Sequence, residues 1–200
     1  MIDFVYLASQ SPRRSQLLAQ LGVRHELLLP GDDEDAESLE LMLTNEAPAS
    51  YVKRVTQLKL DAALLRLKKR ALPSAPVVCS DTTVALGRKI YGKPDDTRDA
   101  QRMLTELAGK THRVLTAIAV GTARSRVQRV SESRVTFAPL SSAQIKAYVA
   151  SGEPMGKAGA YAVQGKAAAF IAHISGSYSG IMGLPVFETA ALLRSMRVRF

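Results

Sequence analysis

Two arginines follow a helix-starting pattern near the beginning of the chain. The stretch Leu7–Ser15 reads LASQSPRRS, an apolar segment, a turn and then Pro12, which suits the first position of a helix. Ser11 is the predicted N-cap, with its hydroxyl accepting from the first turn. Basic residues are unfavourable beside the positive end of a helix dipole, so Arg13 and Arg14 indicate a bound anion there. The stretch predicts a phosphate or polyphosphate site; the alternative is a capped helix with a solvated charge pair.

A carboxylate follows an apolar strand pattern in the middle of the chain. Ala75–Cys79 predicts a short buried strand, and Asp81 would lie at its exit, where α/β proteins commonly carry functional side chains. Asp81 could ligate Mg²⁺ or accept a proton from water, whereas a lone aspartate more often only caps a turn. Glu34, in the acidic run at residues 32–37, could complete a Mg²⁺ site with Asp81; a solvated acidic loop is the alternative.

Two further loops could reach a bound phosphate or base. Lys93 lies between glycine and proline, in a defined turn from which its ammonium could reach a phosphate. The stretch Lys157–Gly165 is rich in small residues, which allow close backbone approach, and its Gln164 amide could read a base edge. The alternatives are an exposed lysine and a tightly packed loop. The coexistence of two carboxylates, several cations and glycine-rich loops favours the phosphate site.

Composition restricts the class of protein. The chain has 200 residues, 46% of them hydrophobic, which is enough for one sizeable core, and we expect residues 1–200 to form a single domain. No apolar run approaches the roughly 20 residues that span a bilayer, and no signal-peptide pattern opens the chain, so no membrane partner is expected. Cys79 is the only cysteine, which excludes an intramolecular disulfide and fits a reducing cytoplasm.

The formal charge of +9 predicts a polyanionic partner, either a nucleic acid or a phosphorylated metabolite. Part of the excess lies in Lys68–Arg70 and in the arginines of the C-terminal tail, which we interpret as solvated. No zinc-finger, basic-zipper or RNA-recognition pattern is present, and aromatic residues make up only 6% of the chain. A nucleic-acid-binding protein also leaves Asp81 and Glu34 unexplained, because carboxylates repel a phosphate backbone unless a metal intervenes.

The remaining pattern mixes helices and strands. The capping box of Ser141 and Gln144 and the helix-starting Pro48 are its clearest signals. Helices are predicted at Pro48–Leu67, Thr97–Leu107, Ser141–Ser151 and Pro185–Ser195, with a short one at Leu39–Leu43. Strands are predicted at Phe4–Ala8, His25–Leu29, Ala75–Cys79, Thr111–Thr122, Val127–Phe137 and Ala168–Ile174, with a hairpin over Thr83–Tyr91. The mixture predicts an α/β fold with both hairpins and crossover units.

The order of the short motifs resembles the Maf family of nucleotide pyrophosphatases. The matching segments are Leu7–Arg14, Asp33-Glu34, Tyr51–Arg54 with Lys59, Ser80–Thr82, Gly92–Pro94, Ser151–Pro154, Lys157–Tyr161, Gln164-Gly165, Gly183–Pro185 and Glu188-Thr189. Each motif is weak alone, but the ordered set covers nearly the whole chain and is highly specific. The chain departs from the family pattern in a longer acidic segment at Asp35–Asn45, in Leu60, and in Ser179–Met182.

The resemblance implies an elongated, ITPase-like α/β fold, in which a mixed central sheet flanked by helices carries a substrate cleft, often in a homodimer. It implies Mg²⁺-dependent hydrolysis of nucleoside triphosphates to a monophosphate and pyrophosphate, with Mn²⁺ as a possible substitute and no nucleic acid required. The family's historical association with cell division leaves a non-catalytic division regulator as the competing class.

Carried over residue by residue, the resemblance makes Asp81 the catalytic carboxylate and a metal ligand, with Glu34 near the metal or water. Lys93 joins them in catalysis. The substrate-binding residues it implies are Ser9, Arg13, Arg14, Lys59, Thr82 and Gln164. Arg13 and Gln164 resemble the branch that acts on dTTP and UTP. The sister branch that acts on 7-methyl-GTP has an aromatic residue and a glutamate at these two positions.

Overall fold

Seven strands form one mixed sheet in the computed structural model, which describes residues 2–36 and 38–200. The strands are β1 (Val5–Leu7), β2 (His25–Leu27), β3 (Val77–Leu86), β4 (Lys89–Tyr91), β5 (Thr111–Gly121), β6 (Arg126–Phe137) and β7 (Ile171–Ser175). Their order is β2-β1-β3-β5-β6-β7, and β4 pairs with the far end of β3. β1 runs parallel to both of its neighbours, whereas the other pairs are antiparallel.

Helices flank this sheet, as the sequence predicts. They are α1 (Pro12–Gln20), α2 (Pro48–Lys69), α3 (Thr97–Leu107), α4 (Ser142–Ala150), α5 (Tyr178–Ile181) and α6 (Val186–Ser195), with 3-10 turns at Ser38–Glu40, Ala158–Ala160 and Lys166–Phe170. The predicted capping box at α4 is confirmed. The cap of α3 is Asp96 rather than Thr97, because the Asp96 carboxylate accepts from Asp99 N at 2.7 Å. None of the described helices is long and apolar enough to cross a membrane.

The two faces of the sheet bury different helices. Val5 and Leu7 of β1 point to the face covered by α1 and α6, whereas Tyr6 points to the face covered by α2. The same alternation continues in β3, where Cys79 packs toward α2 and Val78 toward α1 and α6. Asp81, two residues after Cys79, therefore faces α2.

Two strand predictions were wrong. β3 does not end at Cys79 but continues to Leu86, because β5 pairs with it without interruption from Val77 to Ala85. Asp81 is thus inside a strand rather than at a strand exit. The strand predicted at Ala168–Ile174 begins only at Ile171, since the alanine-rich residues before it have weak strand preference and form a 3-10 turn.

Candidate active site

The cleft of this protein lies where β3 lacks a neighbour on one side. β1 pairs with β3 only at Val77 and Val78, and β4 pairs with it from Val84 onward. Among the described residues, positions 79–83 therefore have a strand partner only on the β5 side. Asp81 and Thr82 line a cleft of about 570 Å³ at this opening, a volume usual for small-molecule sites.

Lys59 of α2 meets Asp81 at the open part of the sheet. Lys59 Nζ donates to Asp81 Oδ1 at 2.6 Å and to Glu40 Oε1 at 2.7 Å. Lys93 Nζ donates to the same Glu40 carboxylate, at 3.0 Å to Oε2. The structure thus brings together three predicted site residues, Asp81, Lys59 and Lys93, and adds Glu40 to them.

Glu40 is the site residue that the sequence did not single out. Burial raises its pKa, but the charges and hydrogen bonds of Lys59 and Lys93 outweigh burial, so the pKa lies below the ordinary glutamate value. Its placement depends on Tyr51, eleven residues away, whose hydroxyl donates to the Glu40 carbonyl at 2.9 Å. Nothing in the local sequence separates Glu40 from the neighbouring acids. The predicted short helix at Leu39–Leu43 was the only signal, and the structure has a 3-10 turn at Ser38–Glu40 there.

The structure does not bring Glu34 to Asp81. Glu34 is absent from the lining of the cleft, and its two oxygens accept from Arg66 Nε at 2.8 Å and Nη2 at 2.6 Å. Hydrogen bonding to Arg66 lowers the pKa of Glu34 to about 2. Arg66 Nη1 also donates to the Leu28 carbonyl at 2.9 Å, so this pair fastens the segment after β2 to α2. The metal or water role of Glu34 stays a prediction, and in this arrangement its carboxylate is engaged by a guanidinium.

The turn before α1 is held by Ser9. Ser9 Oγ accepts from Ser11 N at 3.2 Å and from Arg14 Nη1 at 3.0 Å. Ser11 occupies the N-cap position, but its side chain makes no capping hydrogen bond, so that part of the prediction was wrong. The Ser9 hydroxyl closes the turn two residues earlier instead. Burial lowers the pKa of Arg14, whereas the charge of Asp81 acts in the opposite direction.

Gly183 links the N-terminal turn to the C-terminal part of the chain. Its carbonyl accepts from Arg14 Nε and from Ser80 Oγ, both at 2.8 Å. Its φ of +112° lies in a region that residues other than glycine rarely adopt. The Gly183–Pro185 motif therefore fixes the direction of the Arg14 guanidinium at the cleft.

Thr82 and Arg13 line the same cleft, whereas the exposed Gln164 is not part of its lining and is connected to it through Arg13. The Thr82 hydroxyl is 2.9 Å from that of Thr116, which itself donates to the Gly180 carbonyl at 2.7 Å. With its amide oxygen turned toward Arg13, Gln164 accepts from Nη1 at 2.9 Å and from Nε at 3.3 Å. The structure thus joins two residues, Arg13 and Gln164, whose sequence positions are far apart.

The charges of the cleft suit a polyanion together with a cation. The basic residues among its lining are Arg13, Arg14, Lys59, Arg66, Lys93 and Lys157, and the acidic ones are Glu40 and Asp81. Guanidinium and ammonium groups bind phosphate oxygens, and carboxylate oxygens are the ligands that Mg²⁺ prefers. Asp81 and Glu40 fit a hard cation by donor type, because both already bind one cationic group, the Lys59 ammonium. The described residues contain no cluster of three or more acidic, histidine or cysteine ligands.

A mixed α/β sheet with a basic cleft and two carboxylates at a strand opening defines a polyphosphate-binding class of protein. The chain belongs to the Maf family, because the family model described as "Maf-like protein" matches residues 4–196. It is 76% identical over 195 residues to a dTTP/UTP pyrophosphatase of Albidiferax ferrireducens, covering 98% of each chain. It is 60% identical over 200 residues to a dTTP/UTP pyrophosphatase of Cupriavidus pinatubonensis, covering 100% of each chain.

Among solved structures, the Staphylococcus aureus Ham1 protein is similar with a TM-score of 0.39 and 12% sequence identity. The match covers 66% of this chain and 70% of the Ham1 chain. A likeness at this level supports no statement about function.

Proposed function

We propose that this protein is a nucleoside triphosphate pyrophosphatase that hydrolyses dTTP and UTP to the monophosphate and pyrophosphate. The observation that carries the proposal is Asp81, a nearly buried carboxylate held at an open strand edge by Lys59 and surrounded by phosphate-binding cations. The names of the relatives at 76% and 60% identity support the same activity and the same two substrates.

The reaction needs charge stabilisation more than covalent chemistry. Attack by water at the α-phosphorus places negative charge on the oxygen that leaves with pyrophosphate. Arg13, Lys59 and Lys93 would bind the triphosphate, and Lys93 would also stabilise the leaving oxygen. Asp81 would orient the attacking water and accept its proton. Cys79 has no place in this scheme, because burial raises the pKa of its thiol to about 12.

Mg²⁺, or Mn²⁺ in its place, is part of the proposal. A divalent cation in the cleft would supply charge neutralisation for the phosphates. Asp81 is the residue we assign to it first, because its carboxylate lies among the phosphate-binding cations rather than in a separate ion pair such as that of Glu34.

Base selection is assigned to Gln164 and Thr82. A neutral amide both donates and accepts, which matches the O4 and N3–H edge of uracil and thymine, whereas an ionised glutamate only accepts. Arg13, which binds Gln164, would repel the cationic base of 7-methyl-GTP. We therefore infer the pyrimidine branch of the family for this chain.

The test is a panel of nucleotides assayed for product with and without divalent metal. Pyrophosphate and a monophosphate should form, EDTA should stop the reaction, and Mg²⁺ or Mn²⁺ should restore it. The kcat/KM for dTTP and UTP should exceed that for 7-methyl-GTP at least about tenfold, equal to roughly 1.4 kcal/mol in transition-state binding. Release of orthophosphate would contradict the activity, and a preference for 7-methyl-GTP would contradict only the choice of substrate.

A homodimer in the cytoplasm completes the proposal. The family resemblance supports the dimer, and the lone, buried Cys79 supports a reducing compartment. Light scattering coupled to size-exclusion chromatography measures the mass in solution, and a monomer at micromolar concentration would contradict the dimer.

A further inference from the structure

The Lys59 ammonium lies between two carboxylates in the cleft. Asp81 Oδ1 and Glu40 Oε1 both accept from Lys59 Nζ, at 2.6 and 2.7 Å. Two carboxylates that converge on one atom create a negative electrostatic potential there, which favours a positively charged group at that position. Glu40 also binds Lys93 at 3.0 Å, so neither negative charge is left without a cation.

The backbone around Glu40 is fixed to α2. Tyr51 donates its hydroxyl to the Glu40 carbonyl at 2.9 Å, and Arg54 Nη2 donates to the Leu41 carbonyl at 2.8 Å. Arg54 is itself held by Glu46, at 2.7 Å from Nε and 2.6 Å from Nη2. Because α2 also carries Lys59, Glu40 is anchored to the same element that presents the ammonium.

An unpartnered hydroxyl points to a ligand at the same place. Thr83 is 1% exposed, and its Oγ1 has no hydrogen-bond partner among the described residues. Thr83 lines the cleft and lies two residues after Asp81, so both side chains are on the strand face that packs against α2. A buried hydroxyl without a hydrogen-bond partner is unfavourable, and a ligand group bound beside it would supply the missing hydrogen bond.

We propose that Glu40 and Asp81 together form the divalent-cation site of this protein, and that the Lys59 ammonium occupies the cation position in the free enzyme. The proposal deepens the pyrophosphatase function and rests on it for its purpose, but it concerns the binding of the metal alone. The second carboxylate of the proposed site, that of Glu40, lies in the acidic segment Asp35–Asn45, where the chain departs from the family pattern. Glu34, whose oxygens bind Arg66, has no part in this site.

Exchange of one cation for another follows from this arrangement. Lys59 would lose its two acceptors to the divalent cation, and its ammonium would then be available to donate to a triphosphate oxygen. Metal binding and phosphate binding would thus be coupled through one side chain. The anchored backbone of Glu40 favours this exchange over a glutamate that merely fills the phosphate position and swings away when the nucleotide binds.

The test measures binding of Mn²⁺ alone, without nucleotide, by the electron paramagnetic resonance signal of free Mn²⁺ and by calorimetry. Glu40→Gln and Asp81→Asn should each weaken Mn²⁺ affinity at least about tenfold, the scale expected when a metal site loses a carboxylate contact. Glu34→Gln should leave the affinity unchanged. Glu132→Gln, which removes an exposed carboxylate on β6, is the matched control. Melting temperatures would establish that each variant is folded.

A Lys59→Met variant should change the Mn²⁺ affinity in the opposite direction. Removing the ammonium should tighten Mn²⁺ binding severalfold, because the metal no longer competes with a resident cation, while the KM for dTTP rises. Unchanged Mn²⁺ affinity in folded Glu40→Gln, or no Mn²⁺ binding by the wild-type protein up to millimolar metal, would overturn the proposal. So would a Glu40→Gln variant that lowers the KM for dTTP without affecting Mn²⁺, since Glu40 would then only occupy the phosphate position. A protein that binds Mn²⁺ through Glu40 but hydrolyses no nucleotide would refute the proposed function and leave this inference standing.

Discussion

Asp81 combines two properties that a catalytic carboxylate needs. It is 7% exposed, so its interactions are weakly screened, and it lies beside a cleft that a phosphate chain can enter. Lys59 holds Oδ1 at 2.6 Å and so fixes the orientation of the carboxylate. The sequence singled out Asp81 because it follows the apolar stretch Ala75–Cys79 and lies in a motif that resembles the Maf family, whereas nothing distinguished its partner Glu40 from the neighbouring acidic residues.

Replacing Asp81 with asparagine tests this role. Asparagine keeps the size and a hydrogen-bonding oxygen but loses the negative charge and the basicity. We expect Asp81→Asn to lower kcat for dTTP by roughly 10²-fold or more, the range for loss of a general base. Steady-state kinetics measure the change, and circular dichroism melting shows whether the variant is folded. Near-normal turnover by the folded variant would remove Asp81 from the mechanism.

At the scale of elements, the sequence predicted the elements with local signals and missed those set by distant contacts. Pro48 begins α2 and the Ser141 capping box begins α4, as predicted, because these signals act within one helical turn. The continuation of β3 to Leu86 depends on pairing with β5, and no local pattern reveals it. The 3-10 turn that carries Glu40 depends in the same way on Tyr51.

The turn around Gly159 requires glycine at this position. Gly159 has a φ of +69°, and its N–H donates to the Gly92 carbonyl at 3.0 Å, so it connects the loop of Lys157 with the loop of Lys93. A Cβ at Gly159 would lie 2.9 Å from Val84 Cβ, which belongs to a buried, branched side chain on β3. The turn can therefore approach the strand only as glycine.

Gly159→Ala should cost both stability and activity. Backbone strain at positive φ costs about 1–2 kcal/mol, and crowding against Val84 adds about 1–3 kcal/mol. Gly152→Ala is the matched control, because Gly152 has a φ of +74° but nothing within 4 Å of the added Cβ. Urea unfolding and kcat/KM for dTTP measure the two effects. Equal losses of stability in both variants would mean that Val84 does not restrict the turn.

At the scale of the whole molecule, the cleft and the core share an aromatic cluster. His112 is 1% exposed, lies edge-on to Phe137 with ring centroids 4.9 Å apart, and its Nε2 is 2.8 Å from the Tyr161 hydroxyl. Tyr161 lines the cleft. Burial lowers the pKa of His112 to about 4, against 6.5 for a solvated histidine, so the folded protein keeps this ring neutral at physiological pH.

The buried His112 makes the stability of the whole protein depend on pH in a defined window. Between pH 6.5 and about 4 the unfolded chain binds a proton that the folded protein does not, so the free energy of unfolding falls as the pH falls through this range. Between pH 7 and pH 5 the loss should be about 2 kcal/mol, at 1.36 kcal/mol per unit of pKa difference. The carboxylates of Glu34 and Glu106 have pKa values of about 2, so their contribution to the free energy of unfolding is lost only below the ordinary glutamate pKa of 4.5.

Urea unfolding at a series of pH values measures this dependence. The His112→Gln variant should show a flatter dependence of the free energy of unfolding on pH. The control variant His173→Asn, which replaces an exposed histidine on β7, should behave as the wild type does. A wild-type stability that is constant from pH 7 to pH 5 would mean that His112 takes up its proton in the folded state as readily as in the unfolded chain.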